Sequence, residues 1–242
     1  MSFLTGPFLL ALALTAVAGF SAFAGAALGC LDEIRGGVLS DKAKNAIIAF
    51  GGGALIGAVG LLLVPHGLDS QPVWLAAGTF VAGGAAALMV DRALQRSGTP
   101  ASQLVALNLD FIPEAVVVGA VITQNRAMAL FLAAVMIAQN LPEGFNAYRE
   151  VRNSHGGFIR SHILRLMLLC IVIGPIAATL GYLVFTLESA VLGSVMTFFA
   201  GGILYLVFED VAPEAKGNGE WMPAMGAVAG FMVALIGSGI TG

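Results

Sequence analysis

The apolar residues of this chain come in blocks of about twenty, the length a helix needs to cross a hydrocarbon layer roughly 30 Å thick. Short polar breaks separate them: DEIRGG, HGLDSQP, DRALQRSGTP, TQNR, the basic stretch from Arg149 to Arg165, Glu188 and PEAKGNGE. These breaks predict eight spans, near residues 4–30, 45–66, 73–92, 101–123, 127–148, 162–184, 190–212 and 220–240. Only 10% of the residues are charged, against about 25% in a soluble domain, so the chain cannot clothe itself in polar surface. The expected fold is all-α: a polytopic membrane protein of eight transmembrane helices, a single transmembrane domain over 1–242, with kinked helices 4 and 5 at its centre. No Lys or Arg precedes the apolar run from Phe3, so no signal peptide is expected. Cys30 and Cys170 lie far apart with no CxxC, which predicts neither a disulfide framework nor a thiolate metal site.

The cationic residues set the orientation. Arg35, Lys42, Lys44, Arg92, Arg96, Arg149, Arg152, Arg160, Arg165 and Lys216 all follow spans 1, 3, 5 and 7, and Arg126 alone lies on the other side. Lys and Arg accumulate on the cytoplasmic face, so the expectation is a multi-pass protein of the cell (inner) membrane with both termini outside. Glycine is concentrated in the spans, at Gly51 to Gly53, Gly57, Gly60, Gly201, Gly202, Gly226 and Gly230. Small residues let helices approach closely in lipid; close packing is the plain reading and a sliding interface the sharper one.

An ionisable side chain at mid-membrane is expensive and points to function. Three sit there: Asp110 and Glu114 in span 4 (LNLDFIPEAVVVGA) and Glu143 in span 5 (IAQNLPEGFNAYRE). Asp110 precedes Glu114, and Gln139 precedes Glu143, by four residues, one helical turn, so each pair shares a face. Pro113 and Pro142 stand immediately before the glutamates; each removes an N–H and frees the carbonyl of Leu109 or Ala138. Facing one another, the two helices would gather Asp110, Glu114, Gln139, Asn140 and Glu143 around one point. Three carboxylates in low dielectric need a counter-charge, and no Lys or Arg lies mid-span. A bound divalent cation, or protons in its stead, supplies it, and all five side chains can offer oxygen.

These residues resemble the ZIP (Zrt/Irt-like) family of divalent metal transporters, as a divergent prokaryotic-type member. QNLPEG (139–144) is similar to the family's fifth-helix motif, DFIPEA (110–115) more loosely to its fourth, and FEDVAPEA (208–215) to the acidic stretch near the cytoplasmic end of the seventh. The resemblance implies eight helices with both termini outside, inverted three-helix repeats flanking helices 4 and 5, and a homodimer. It places the primary metal site on Asp110, Glu114, Gln139 and Glu143, with Asn140 beside a second. Asp110 stands where the family usually has His and Phe111 where it has Asn, span 6 carries no carboxylate, and the loop between spans 3 and 4 shrinks to RSGTPA. Losing the imidazole leaves an all-oxygen site, harder than the usual one.

The expected function is transport of divalent transition-metal cations into the cytoplasm, zinc first, with manganese, iron or cadmium as alternatives. The metal is cargo; no organic cofactor, no enzymatic activity and no nucleic-acid partner are expected, the lipid bilayer being the other partner. One rival is a proton- or sodium-coupled carrier of a small solute, against which the absence of a mid-span Arg counts for anionic solutes. Another is a metal-binding member without efficient transport. An intramembrane metalloenzyme would want HExxH, which is missing. Gln139 and Asn140 read equally as interhelical glue. His66 and Asp69 suit an outer entrance or a plain helix end; Glu209, Asp210, Glu214, Asp32 and Glu33 suit a cytoplasmic relay or solvated helix ends. His155 and His162 sit among arginines in a cytosolic loop.

Overall fold

The computed structural model describes residues 6–97, 101–153, 158–185, 189–216 and 221–241; side chains at 95, 97, 101–110, 184–185, 189–190 and 240–241 lie outside the description. The described residues form eight helical spans: α1 (Gly6–Ile34), α2 (Asp41–Asp69), α3 (Val73–Ser97), α4 (Ala101–Val121), α5 (Arg126–Asn153), α6 (Arg160–Met167 and Leu169–Phe185), α7 (Ser189–Leu206 running on to Ala215) and α8 (Trp221–Thr241). Seven are long and apolar enough to cross a membrane, and α4 contributes the shorter apolar stretch Phe111–Val121. The chain is an all-α polytopic membrane protein. Its helices follow the expected spans and overrun several of them by three to five residues, because amphipathic ends such as Leu31–Ile34 and Arg149–Asn153 continue the helix past the hydrophobic stretch.

Pro113 and Pro142 stay inside continuous helices. Two other prolines are accommodated differently. In α2, Val59–Leu63 widens into a π-helical turn just before Pro65, and the Val64 N–H reaches back five residues to the Val59 carbonyl. In α7 the same happens at Val207–Val211 before Pro213, with Ala212 bonding Val207. A proline ring clashes with the carbonyl four residues earlier, here Leu61 and Glu209, and a wider turn moves that carbonyl aside.

The main pairings are α1 with α5, α4 with α6, α2 with α8 and α3 with α7, while α1 meets α6 and α4 meets α5. Exchanging α1–α3 with α6–α8 and α4 with α5 maps this set onto itself, the pattern that inverted repeats produce. Glycine marks each of the four seams from both sides. A methyl group built on Gly25 would overlap the Leu141 carbonyl, and one on Gly144 the Ala22 carbonyl. Gly119 and Ala178 with Gly181 and Val116 join α4 to α6, Gly53 and Ala227 with Gly230 and Phe50 join α2 to α8, and Gly83 and Phe198 with Gly201 and Phe80 join α3 to α7. Backbones therefore touch directly, and lipid-immersed helices are held by packing that only a missing Cβ permits. Gly60, by contrast, faces open space.

Both ends of the bundle are tied by polar networks. At one end, Glu33 of α1 accepts hydrogen bonds from Tyr148 Oη (2.5 Å), Arg152 Nε (3.1 Å) and Arg160 Nη2 (2.9 Å). Next to it Asp32 caps the Leu39 N–H at 2.9 Å and pairs with Lys44 at 3.4 Å. These bonds bring the end of α1, the start of α2, the end of α5 and the start of α6 to one side, as the alternation of spans requires. At the other end Gln71 bonds Thr197 (3.0 Å) and Ser194 (2.7 Å), and Thr79 bonds Thr197 (2.6 Å).

The seams make a concrete demand. Gly230→Ala and Gly181→Ala should each lower the thermal unfolding midpoint in detergent, at an overpacking cost of about 1–3 kcal/mol, whereas Gly78→Ala, with nothing near its Cβ position, should leave it unchanged.

Candidate cation site between α4 and α5

On α5 the spacing that places Gln139 one turn before Glu143 turns both toward α4. Glu114 of α4 is buried, 1% exposed, and the Gln139 Nε2 group donates to both its oxygens, at 2.8 and 2.7 Å. Glu143 lies close enough to Glu114 for their charges to interact. The structure thus unites Glu114, Gln139 and Glu143. Asn140, adjacent to Gln139, turns onto the α1 face, where its Nδ2 donates to the Ala18 carbonyl at 3.0 Å. Asp110 belongs to α4, one turn before Glu114, but its side chain lies outside the described residues.

What remains unbonded is one-sided. Among the described residues, the buried side-chain polar atoms without a hydrogen-bond partner are Gln139 Oε1, Asn140 Oδ1 and both carboxylate oxygens of Glu143. All four accept; none donates. The two amide groups are oriented by their partners, since their N–H ends are taken by a carboxylate and by a carbonyl. Turning either amide over would set oxygen against oxygen. Each orphaned acceptor costs on the order of 1–3 kcal/mol in a dry interior, and a fixed array of acceptors is satisfied by a species carrying positive charge.

Packing supports the site from behind. The Pro142 ring rests on Gly51 of α2, 3.2 Å from where a Cβ would stand, and Phe111 fills the space beside Gly174 of α6. Sequence reasoning named Gly51 only as part of a small-residue run; its partner is the proline that precedes Glu143. It also stopped at Glu143, although the same i+3/i+4 spacing continues to Asn146 and Glu150. Asn146 Nδ2 donates to Glu150 Oε1 at 2.8 Å and, through a short bond, to Glu214 of α7. A polar stripe therefore runs from the buried acids to the end of α5.

The remaining candidates fall away from this point. His66 sets Nδ1 3.0 Å from the Leu62 carbonyl, and Asp69 is exposed at the end of α2. Glu209 and Asp210 are exposed in the π-helical turn of α7, and His162 is exposed at the start of α6. Asp32 and Glu33 are bound into the end network rather than freely solvated. His155 lies outside the described residues. Among the described residues no group of three or more His, Cys, Asp or Glu is placed to hold a metal ion; the acceptor set consists of one carboxylate from α4, one from α5 and the amide oxygens of α5.

No protein-family profile matches the chain, and no curated protein matches it.

Because Glu143 lacks a partner while Glu114 has one in Gln139, two substitutions should act with opposite sign. In chelator, Glu143→Met should raise the thermal midpoint of the purified protein, and Gln139→Met should lower it, each by an amount corresponding to about 1–3 kcal/mol.

Proposed function

We propose that this protein carries divalent transition-metal cations across the membrane into the cytoplasm, using the acidic and amide oxygens between α4 and α5 as its binding site. The observation that carries the reading is the unpartnered acceptor oxygens of Gln139 and Glu143 on the α4 face of α5, next to the buried carboxylate of Glu114, with Asn140 Oδ1 unpartnered on the same turn. An uncompensated carboxylate in hydrocarbon is tolerated where it binds an ion in the working cycle. Glu114, Gln139 and Glu143 would hold the metal; Asn140 Oδ1 would serve it from the α1 side, and Asp110 would extend the acidic set along α4. Protons take the metal's place when the site is empty, which links cation movement to proton movement.

The resemblance of QNLPEG and DFIPEA to the ZIP motifs points the same way and makes zinc the first cargo to test. The symmetric helix exchange supports a mechanism in which α4 and α5 alternate between two sets of neighbours, as repeat-built carriers do. The cationic loops argue for the inner membrane with both termini outside, so that the stripe from Glu143 through Asn146 to Glu150 leads to the cytoplasm. A homodimer is the assembly the resemblance suggests.

Uptake of radioactive or dye-reported divalent metal into proteoliposomes tests the reading. Glu143→Ala should reduce uptake to the level of empty vesicles, while Asp69→Asn, at the exposed end of α2, should retain it. Undiminished transport by Glu143→Ala would remove the site assignment.

A further inference from the structure

Taking the cation site as read above, we propose that it selects hard, oxygen-seeking divalent cations of the manganese kind over thiophilic cadmium and zinc. The inference comes from the chemistry of the donors and from what fixes them. Glu114 offers carboxylate oxygens, Glu143 two more, and Gln139 its Oε1. The amide of Gln139 has its nitrogen end committed to Glu114, so only its oxygen is left for a ligand. Asn140 is fixed in the same sense by Ala18. Carboxylate and carbonyl oxygens suit magnesium, calcium and manganese, imidazole and thiolate suit zinc and softer ions.

Among the described residues, the buried acceptors left without a partner at this site are all oxygens. His66 is at the far end of α2 and His162 at the start of α6. Cys170 backs onto Gly19 between α6 and α1, and Cys30 lies beside Tyr148 near the end of α1. Met136, one turn before Asn140, is packed in the apolar core. Hydration favours manganese over magnesium, which keeps several of its waters and demands near-ideal octahedral geometry that a pair of carboxylates and an amide between two helices does not supply.

Two readouts on the full-length protein test this separately from transport. In detergent, the rise in thermal midpoint is measured with manganese, zinc or cadmium chloride at equal concentration, since a ligand that binds the folded state stabilises it by an amount that grows with the logarithm of its concentration over its Kd. In proteoliposomes, uptake of each metal is measured singly and in competition. The expected result is that manganese stabilises more, and competes better, than either cadmium or zinc. Gln139→Cys, which places a soft donor on the same turn with a smaller side chain, should raise the cadmium-to-manganese ratio about tenfold or more. Should that variant not fold, Gln139→His serves the same purpose. Cadmium or zinc matching or outcompeting manganese in the parent protein would overturn the selectivity while leaving the carrier reading standing. Stronger stabilisation by manganese than by zinc or cadmium, without uptake of any metal, would remove the carrier reading and keep the selectivity. No stabilisation by any of the three would overturn both.

Discussion

Inside hydrocarbon, each polar group must find its partner within the protein, and nearly every local feature of this bundle answers that demand. Thr15 returns its hydroxyl to the Ala11 carbonyl, Ser21 to Ala18, and Thr179 to Pro175. The charges near the ends of α1, α2, α5 and α6 are gathered into shared networks. Against that background the unbonded oxygens of Gln139, Asn140 and Glu143 stand out as the one place where the demand goes unmet among the described residues. They lie on a single turn, they are all of one polarity, and Pro142 stands among them inside the continuous helix α5. A chain that bonds its hydroxyls so thoroughly elsewhere concentrates its polar deficit where a cation can supply the missing partner.

The helix seams explain how such a deficit is tolerated. Reciprocal glycines bring α1 against α5 and α4 against α6 at backbone distance, with Gly25 and Gly144 straddling the turn that holds Glu143. The turn is thus clamped from the α1 side, while Pro142 is supported by Gly51 of α2. The cost of the unpaired acceptors is borne by packing that the site itself does not disturb. Of the glycines that read in the sequence as either close packing or a sliding surface, Gly53 and Gly230 interlock α2 with α8, and Gly201 with Gly83 interlocks α7 with α3, which favours helices moving as pairs.

Much of the fold was legible because lipid imposes few solutions: apolar blocks of helix length, breaks rich in charge, and a one-sided cationic pattern leave little freedom. The approach of Gln139 and Glu143 to Glu114 was likewise legible, since a four-residue interval in a helix fixes a shared face. Partners far apart in sequence were not legible. Nothing in QNLPEG says that Asn140 will turn to Ala18, or that Gln139 will present nitrogen to Glu114 and keep its oxygen back. Asp32 and Glu33 read equally as a cytoplasmic relay or as solvated helix ends until Lys44, Tyr148, Arg152 and Arg160 are seen to close around them. The widened turns before Pro65 and Pro213 were invisible for a related reason: hydropathy does not distinguish a π turn from an α turn.

Those two turns have a consequence for how such chains diverge. Each holds one residue more than an α-helical turn, so everything beyond it is rotated by roughly 100° about the helix axis. His66 and Asp69 on α2, and Glu214 on α7, face where they do only because of that added residue. A homologue with no proline at either position would present the same faces with a chain one residue shorter there. Aligned relatives should then show single-residue gaps within Val59–Leu63 and Val207–Val211, at matching positions along α2 and α7.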